Sequence, residues 1–117
     1  MEALSKHMLT LGKNAREASS SLSILSNESR NKAIISIANQ INLNTNKILE
    51  ANQKDYKKAE EKGLNKAALD RLFLDENRVQ GIVDALKSIA ELNDPIGEIL
   101  EDWDRPNGLS IQKVSVP

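Results

Sequence analysis

Proline is absent from the first 94 positions and then falls at 95, 106 and 117. Proline lacks a backbone donor and clashes with the preceding helical turn, so only a proline-free stretch can run through several helices uninterrupted. The chain therefore divides into a helical segment, residues 1–94, and an extended segment, residues 95–117. The expected fold class is mainly α, a helical N-terminal segment followed by a C-terminal β-hairpin. With one Trp, one Tyr and one Phe in 117 residues, aliphatic side chains must build nearly all of a single modest core.

Apolar spacing locates the helices. Leu4, Met8, Leu11, Ala15, Ala18 and Leu22 recur three or four apart, which predicts a helix over 2–20 that loosens at Ser19, Ser20 and Ser21. A second helix starts at Ser26 or Asn27 and carries the stripe Ala33, Ile34, Ile37, Ala38 and Ile41, until the Asn-rich residues 42–46 end or bend it. Lys47, Ile48, Leu49 and Glu50 read as a short turn. Asn52, with Asp55 three residues on, then reads as a capping-box-like start of a charged helix that stops at Gly63. Asn65 opens a short helix with Leu69 and Leu72. Asp75 caps the best-patterned one, with Val79, Ile82, Val83, Leu86, Ile89 and Ala90 facing inward until Asp94 and Pro95.

Beyond Pro95, the Pro106-Asn107-Gly108 turn lies between Ile99-Leu100 and the β-favouring Leu109, Ile111, Val114 and Val116. A hairpin accounts for this pattern. Leu109 and Ile111 alternate in the opposite phase to Val114 and Val116, so either Gln112-Lys113 holds a bulge or the two faces differ in burial. An isolated two-stranded hairpin is marginally stable and needs another sheet to join.

Composition argues against several functions. Sixteen Lys and Arg against seventeen Asp and Glu give a net charge of −1, without the basic excess of a nucleic-acid binder. No apolar run is long enough to span a membrane, and Glu2, Lys6 and His7 interrupt any signal-peptide core, so the protein is expected to be soluble and cytoplasmic. Zero cysteines and one histidine remove disulfides, thiolate chemistry and a His-based metal cage. The glycines at 12, 63, 81, 97 and 108 are too scattered for a dinucleotide or phosphate loop.

Few residues remain as candidates for chemistry. His7 reads as an ordinary surface histidine. Asp70 and Arg71, within Leu69-Asp70-Arg71-Leu72, can make a polar site, but a structural pair between two buried leucines is the favoured reading. Trp103, between Asp102 and Asp104, is either an anchor for a partner or a shield for one end of the hairpin. Lys57, Lys58 and Lys62 are interleaved with Glu60 and Glu61 and read as a solvated face.

Ala51-Asn52-Gln53-Lys54-Asp55, Gly63-Leu64, Leu69-Asp70-Arg71-Leu72 and Arg78 follow one another in an order and spacing that resembles the beginning of gamma-glutamyl phosphate reductases, also called glutamate-5-semialdehyde dehydrogenases. The resemblance continues through Leu92-Asn93-Asp94-Pro95-Ile96-Gly97, Pro106-Asn107-Gly108-Leu109 and Val116-Pro117. Ile96, where that family commonly has Val, is a conservative departure. The resemblance implies part of a larger α/β enzyme of the aldehyde dehydrogenase superfamily. Such an enzyme reduces gamma-glutamyl phosphate with NADPH to glutamate-5-semialdehyde in proline biosynthesis, through a cysteine thiohemiacetal and thioester.

The family's catalytic cysteine and its NADP site have no counterpart here, so the resemblance assigns no catalytic, cofactor-binding or metal-binding residue within 1–117. It implies an N-terminal piece, inactive alone, whose partner is the remainder of the reductase chain. Residues 95–117 would form a β-hairpin arm leading into the nucleotide-binding domain, and residues 98–116 would make contacts within a homo-oligomer. Whether Asn52, Asp70 or Arg71 reaches substrate is left open. The alternative is a non-enzymatic helical interaction module derived from that family; a nucleic-acid-binding protein is disfavoured by the balanced charge.

Overall fold

The computed structural model describes residues 1–117. Five helices precede one antiparallel hairpin: α1 Glu2–Ser23, α2 Asn27–Leu43, α3 Thr45–Glu61, α4 Lys66–Leu72, α5 Glu76–Ala90, β1 Ile99–Asp104 and β2 Ser110–Val114. The chain is therefore mainly α with a C-terminal β-hairpin. Two compact units form, Asn31–Leu92 and the pair of segments Met1–Arg30 and Asn93–Pro117.

In the Asn31–Leu92 unit, Ala38, Ala59, Val79 and Val83 are buried, with Ile34, Ile41, Ile48, Leu72 and Leu86 half-buried beside them. The core is aliphatic, as the scarcity of aromatics requires. The α2 stripe is narrower than its spacing implied, because Ala33 and Ile37 are exposed; Ile82 and Ile89 of α5 are exposed as well. Periodicity defines a helix face but does not say how much of that face a neighbour covers.

Local chemistry sets the helix ends. The Asn44 turn separates α2 from α3. Gly63, at φ +79°, lets the Gly63 N–H donate to the Glu60 carbonyl at 2.9 Å and the Leu64 N–H to the Ala59 carbonyl at 3.1 Å. These two bonds satisfy carbonyls that the end of α3 leaves free. Asn65 Oδ1 accepts the Ala68 N–H at 2.8 Å, and Asp75 Oδ1 accepts the Arg78 N–H at 2.8 Å, so both side chains cap the helices they precede.

One boundary differs from the sequence reading. α3 runs unbroken from Thr45 to Glu61, and Asn52 lies in its middle instead of capping a new helix. No glycine or proline interrupts residues 45–61, and the Asn52 side chain has more distant backbone partners to bond.

In the other unit, α1 is one 22-residue helix that buries no residue. Ser26, not Asn27, caps α2, its hydroxyl oxygen accepting the Ser29 N–H at 3.1 Å. Arg30 ties the two segments together. Its Nη2 donates to Asp94 Oδ2 at 2.7 Å and its Nη1 donates to the Leu25 carbonyl, while Asp94 Oδ1 accepts the Ile96 N–H at 3.1 Å. The hairpin pairs Ile99 with Val114, Trp103 with Ile111 and Asp104 with Ser110. The extra residue is Leu100 on β1, between Ile99 and Glu101, facing the Lys113-Val114 step. The phase change on β2 is thus absorbed by a bulge in the opposite strand, where it also bends and twists the ribbon.

Candidate functional site

A concavity lies in the Asn31–Leu92 unit, between the N-terminal half of α3 and the turn that enters α5. It is a cleft of about 650 Å³ whose lining includes Leu49, Tyr56, Phe73 and Leu74, the amides of Asn46, Asn52 and Gln53, and the carboxylates of Glu50, Asp75 and Glu76. Residues 46, 49, 50, 53 and 56 share one side of α3 because they recur three and four apart. Tyr56 and Phe73 also line a second cleft with Glu60, Lys66, Leu69 and Asp70. Their rings meet edge to face at 5.8 Å and 73°, the arrangement aromatic quadrupoles favour.

Two side chains hold the turn between α4 and α5. From α3, the 9%-exposed Asn52 donates through Nδ2 to the Leu72 carbonyl at 2.7 Å and accepts the Leu74 N–H on Oδ1 at 2.9 Å. From α5, Arg78 donates to the Phe73 carbonyl at 2.9 Å and to Asp70 Oδ1 at 2.8 Å, and it also donates to the Asp70 carbonyl. Its guanidinium carbon lies 5.5 Å from the centre of the Phe73 ring, within cation–π range. Backbone groups that would otherwise be unpaired at a helix end are therefore bonded from both sides.

The expected Asp70–Arg71 pair is not formed. Asp70 bonds Arg78, and Arg71 Nε donates to the Ala67 carbonyl at 3.3 Å within its own helix. Adjacent residues on a helix point about 100° apart, so the partner for Asp70 comes from the next helix instead. The flanking Leu69 and Leu72 are half-buried.

His7 is exposed on α1, and Lys57, Lys58 and Lys62 are exposed. Trp103 is 41% exposed opposite Ile111. None of these lines the main cleft. The sequence reading missed Tyr56 and Phe73, which frame both clefts; the usable signal was Tyr56 falling one helical turn after Asn52.

No lysine, arginine or histidine lines the main cleft, while three carboxylates do. Such a surface repels acyl phosphates and nucleotide phosphates instead of holding them. The arrangement can position a backbone turn, but it contains no nucleophile paired with a base.

The gamma-glutamyl phosphate reductase of Clostridium tetani is 46% identical over 117 residues, 100% of this chain and 27% of that protein. The crystal structure of the Thermotoga maritima gamma-glutamyl phosphate reductase superposes with a TM-score of 0.89 at 38% identity, over 93% of this chain and 26% of that one. The chain is homologous to gamma-glutamyl phosphate reductase. The match is to an N-terminal portion of the reductase. The Saccharomyces cerevisiae reductase structure agrees, with a TM-score of 0.86 at 33% identity over 92% of this chain and 28% of that one. The chain thus spans about a quarter of the length of the reductases it matches. No protein-family model matches it. Three of the motifs by which it resembles the reductases meet at one place: Asn52 and Arg78 bond the backbone of the Asp70–Phe73 stretch and so clamp the α4–α5 turn.

Proposed function

We propose that this chain acts as the N-terminal segment of a gamma-glutamyl phosphate reductase. The whole enzyme reduces gamma-glutamyl phosphate to glutamate-5-semialdehyde with NADPH, a cytoplasmic step of proline biosynthesis. The observation that carries this reading is the 46% identity along all 117 residues, together with the same fold at a TM-score of 0.89. Residues 1–94 supply a helical segment, and residues 95–117 form a hairpin arm leading into the nucleotide-binding domain.

The main cleft does not fit either phosphate-bearing ligand. The main cleft carries Glu50, Asp75 and Glu76 without a cation, and the five glycines form no phosphate-cradling loop. No reaction step is assigned to residues 1–117, and the segment by itself is inactive. Its task is to form a stable helical body and to present the arm.

Every residue of β1 and β2 is exposed, and the two-stranded sheet has no third strand. Open strand edges of this kind pair readily with another chain. The arm thus makes subunit contacts in a homo-oligomer. Deleting residues 98–116 from the full-length enzyme lowers its association state in sedimentation experiments; an unchanged state contradicts the assignment.

A second reading, a helical interaction module without catalysis, is favoured by one observation: Leu4, Met8 and Leu11 of α1 are half or more exposed. An assay of the native product separates the two. Phosphate-dependent reduction of NADP by glutamate-5-semialdehyde, the reaction run in reverse, supports the reductase reading. Its absence from the purified native product favours the module.

A further inference from the structure

The turn joining β1 to β2 holds an asparagine whose side chain bonds the backbone two residues on. The Gly108 N–H donates to the Arg105 carbonyl at 3.0 Å and the Arg105 N–H to the Leu109 carbonyl at 2.7 Å. This is a four-residue turn with Pro106 and Asn107 at its centre, followed by Gly108 at φ +86°. Asn107 Oδ1 accepts the Leu109 N–H at 3.2 Å. That bond closes an Asx turn over Gly108 and polarises the carboxamide carbonyl. The turn residues are exposed to water, and a Cβ built on Gly108 would meet no atom within 4 Å.

We propose that Asn107 is a site of spontaneous covalent modification, in which the chain acts on itself and water is the only co-reactant. The Gly108 peptide nitrogen loses its proton to a solvent base and attacks Asn107 Cγ. A bond forms between that nitrogen and Cγ, the bond from Cγ to Nδ2 breaks, and the departing nitrogen takes up a proton to leave as ammonia. The product is a five-membered succinimide. Water then adds to one of its two carbonyls and opens the ring, giving aspartate or isoaspartate at position 107; no oxidation state changes.

Selectivity follows from the neighbouring residue. Asn107 is the one asparagine in the chain followed by glycine, and glycine has no Cβ to obstruct the attack. Most of the other asparagines lie inside helices, where the attacking N–H is committed to the backbone ladder. The bond from Gly108 to Arg105 opposes the reaction, so opening of the turn gates it. Isoaspartate routes the main chain through the side-chain carbons and lengthens the turn by one atom, against the Asp104–Ser110 and Trp103–Ile111 pairs.

Incubating the folded chain at mildly alkaline pH, followed by peptide mapping and ammonia assay, tests this. Asn107 converts faster than any other asparagine, because it alone precedes glycine. Ammonia appears in step with isoaspartate at position 107, mild urea that loosens the hairpin accelerates the change, and N107Q removes that isoaspartate and slows ammonia release with the helical circular dichroism unchanged. Conversion at Asn107 no faster than at the other asparagines, or ammonia release from N107Q as fast as from the parent, overturns the proposal.

Discussion

Asn52 in the middle of α3 fixes the position of Leu74, twenty-two residues later, by accepting its N–H at 2.9 Å while donating to the Leu72 carbonyl at 2.7 Å. One buried carboxamide thereby pairs a donor and an acceptor at the junction of two helices. Replacing Asn52 with Ala strands both backbone groups at a partly buried site. The loss is about 2–3 kcal/mol, read as a lower urea midpoint. Asn52→Asp retains the acceptor but loses the donor and places a charge beside a carbonyl, so it does not rescue the loss; a midpoint within error of the parent for either variant contradicts the clamp.

The opposite side of the same turn is asymmetric. Arg78 reaches two backbone carbonyls and the Phe73 ring as well as Asp70, whereas the Asp70 side chain is 71% exposed. An exposed ion pair contributes little, so Asp70→Ala costs at most about 0.5 kcal/mol. Arg78→Ala, which also removes the bonds to backbone carbonyls, costs about 1–2 kcal/mol. Thermal melts of the two variants decide it: equal losses would place the energy in the ion pair and not in the backbone contacts.

Much of this architecture is legible in the residues, and the illegible part has a common cause. Gly63, Asn65 and Asp75 act within four residues of themselves, so local patterns locate them. Asn52 has the same local signature as a cap, but its partners lie twenty and twenty-two residues away, and no local rule finds them. In sequence the nearest arginine to Asp70 is Arg71, but the one it bonds, Arg78, sits on the next helix. The bulge at Leu100 escaped for a related reason: the phase change is visible on β2, but either strand can absorb it. The clefts depend on how α3 lies against the α4–α5 turn, which spacing alone does not encode.

The core of the Asn31–Leu92 unit is small enough for single methyl groups to matter. Val83 is 1% exposed and Ile82 beside it 43%. Val83→Ala removes two buried methyl groups and leaves a cavity, a loss of about 2 kcal/mol. Ile82→Ala costs less than half of that. Denaturant titrations giving equal losses for the two would show that the buried face of α5 is misassigned.

Gly63 ends α3 in the left-handed region at φ +79°, with open space where a Cβ would stand. Gly63→Ala therefore isolates the backbone term from any steric clash. The expected loss is about 1 kcal/mol. A thermal midpoint at or above that of the parent would contradict the helix-end geometry.

Leu4, Met8, Leu11 and Leu22 of α1 are each roughly half exposed or more. Apolar surface left in water tends to find a partner, so the isolated chain self-associates and its sedimentation coefficient rises with concentration. Substituting Leu4 and Met8 with Gln weakens the association. A concentration-independent monomer would show that this face tolerates solvent.

The claim that these 117 residues work as the N-terminal segment of a reductase is tested most directly by the mass of the native gene product, detected with an antibody raised against the chain. Coverage of 27% of the Clostridium tetani reductase predicts a polypeptide about four times the 12.9 kDa of this chain. A native product of 12.9 kDa would contradict that account and turn the search toward a binding partner.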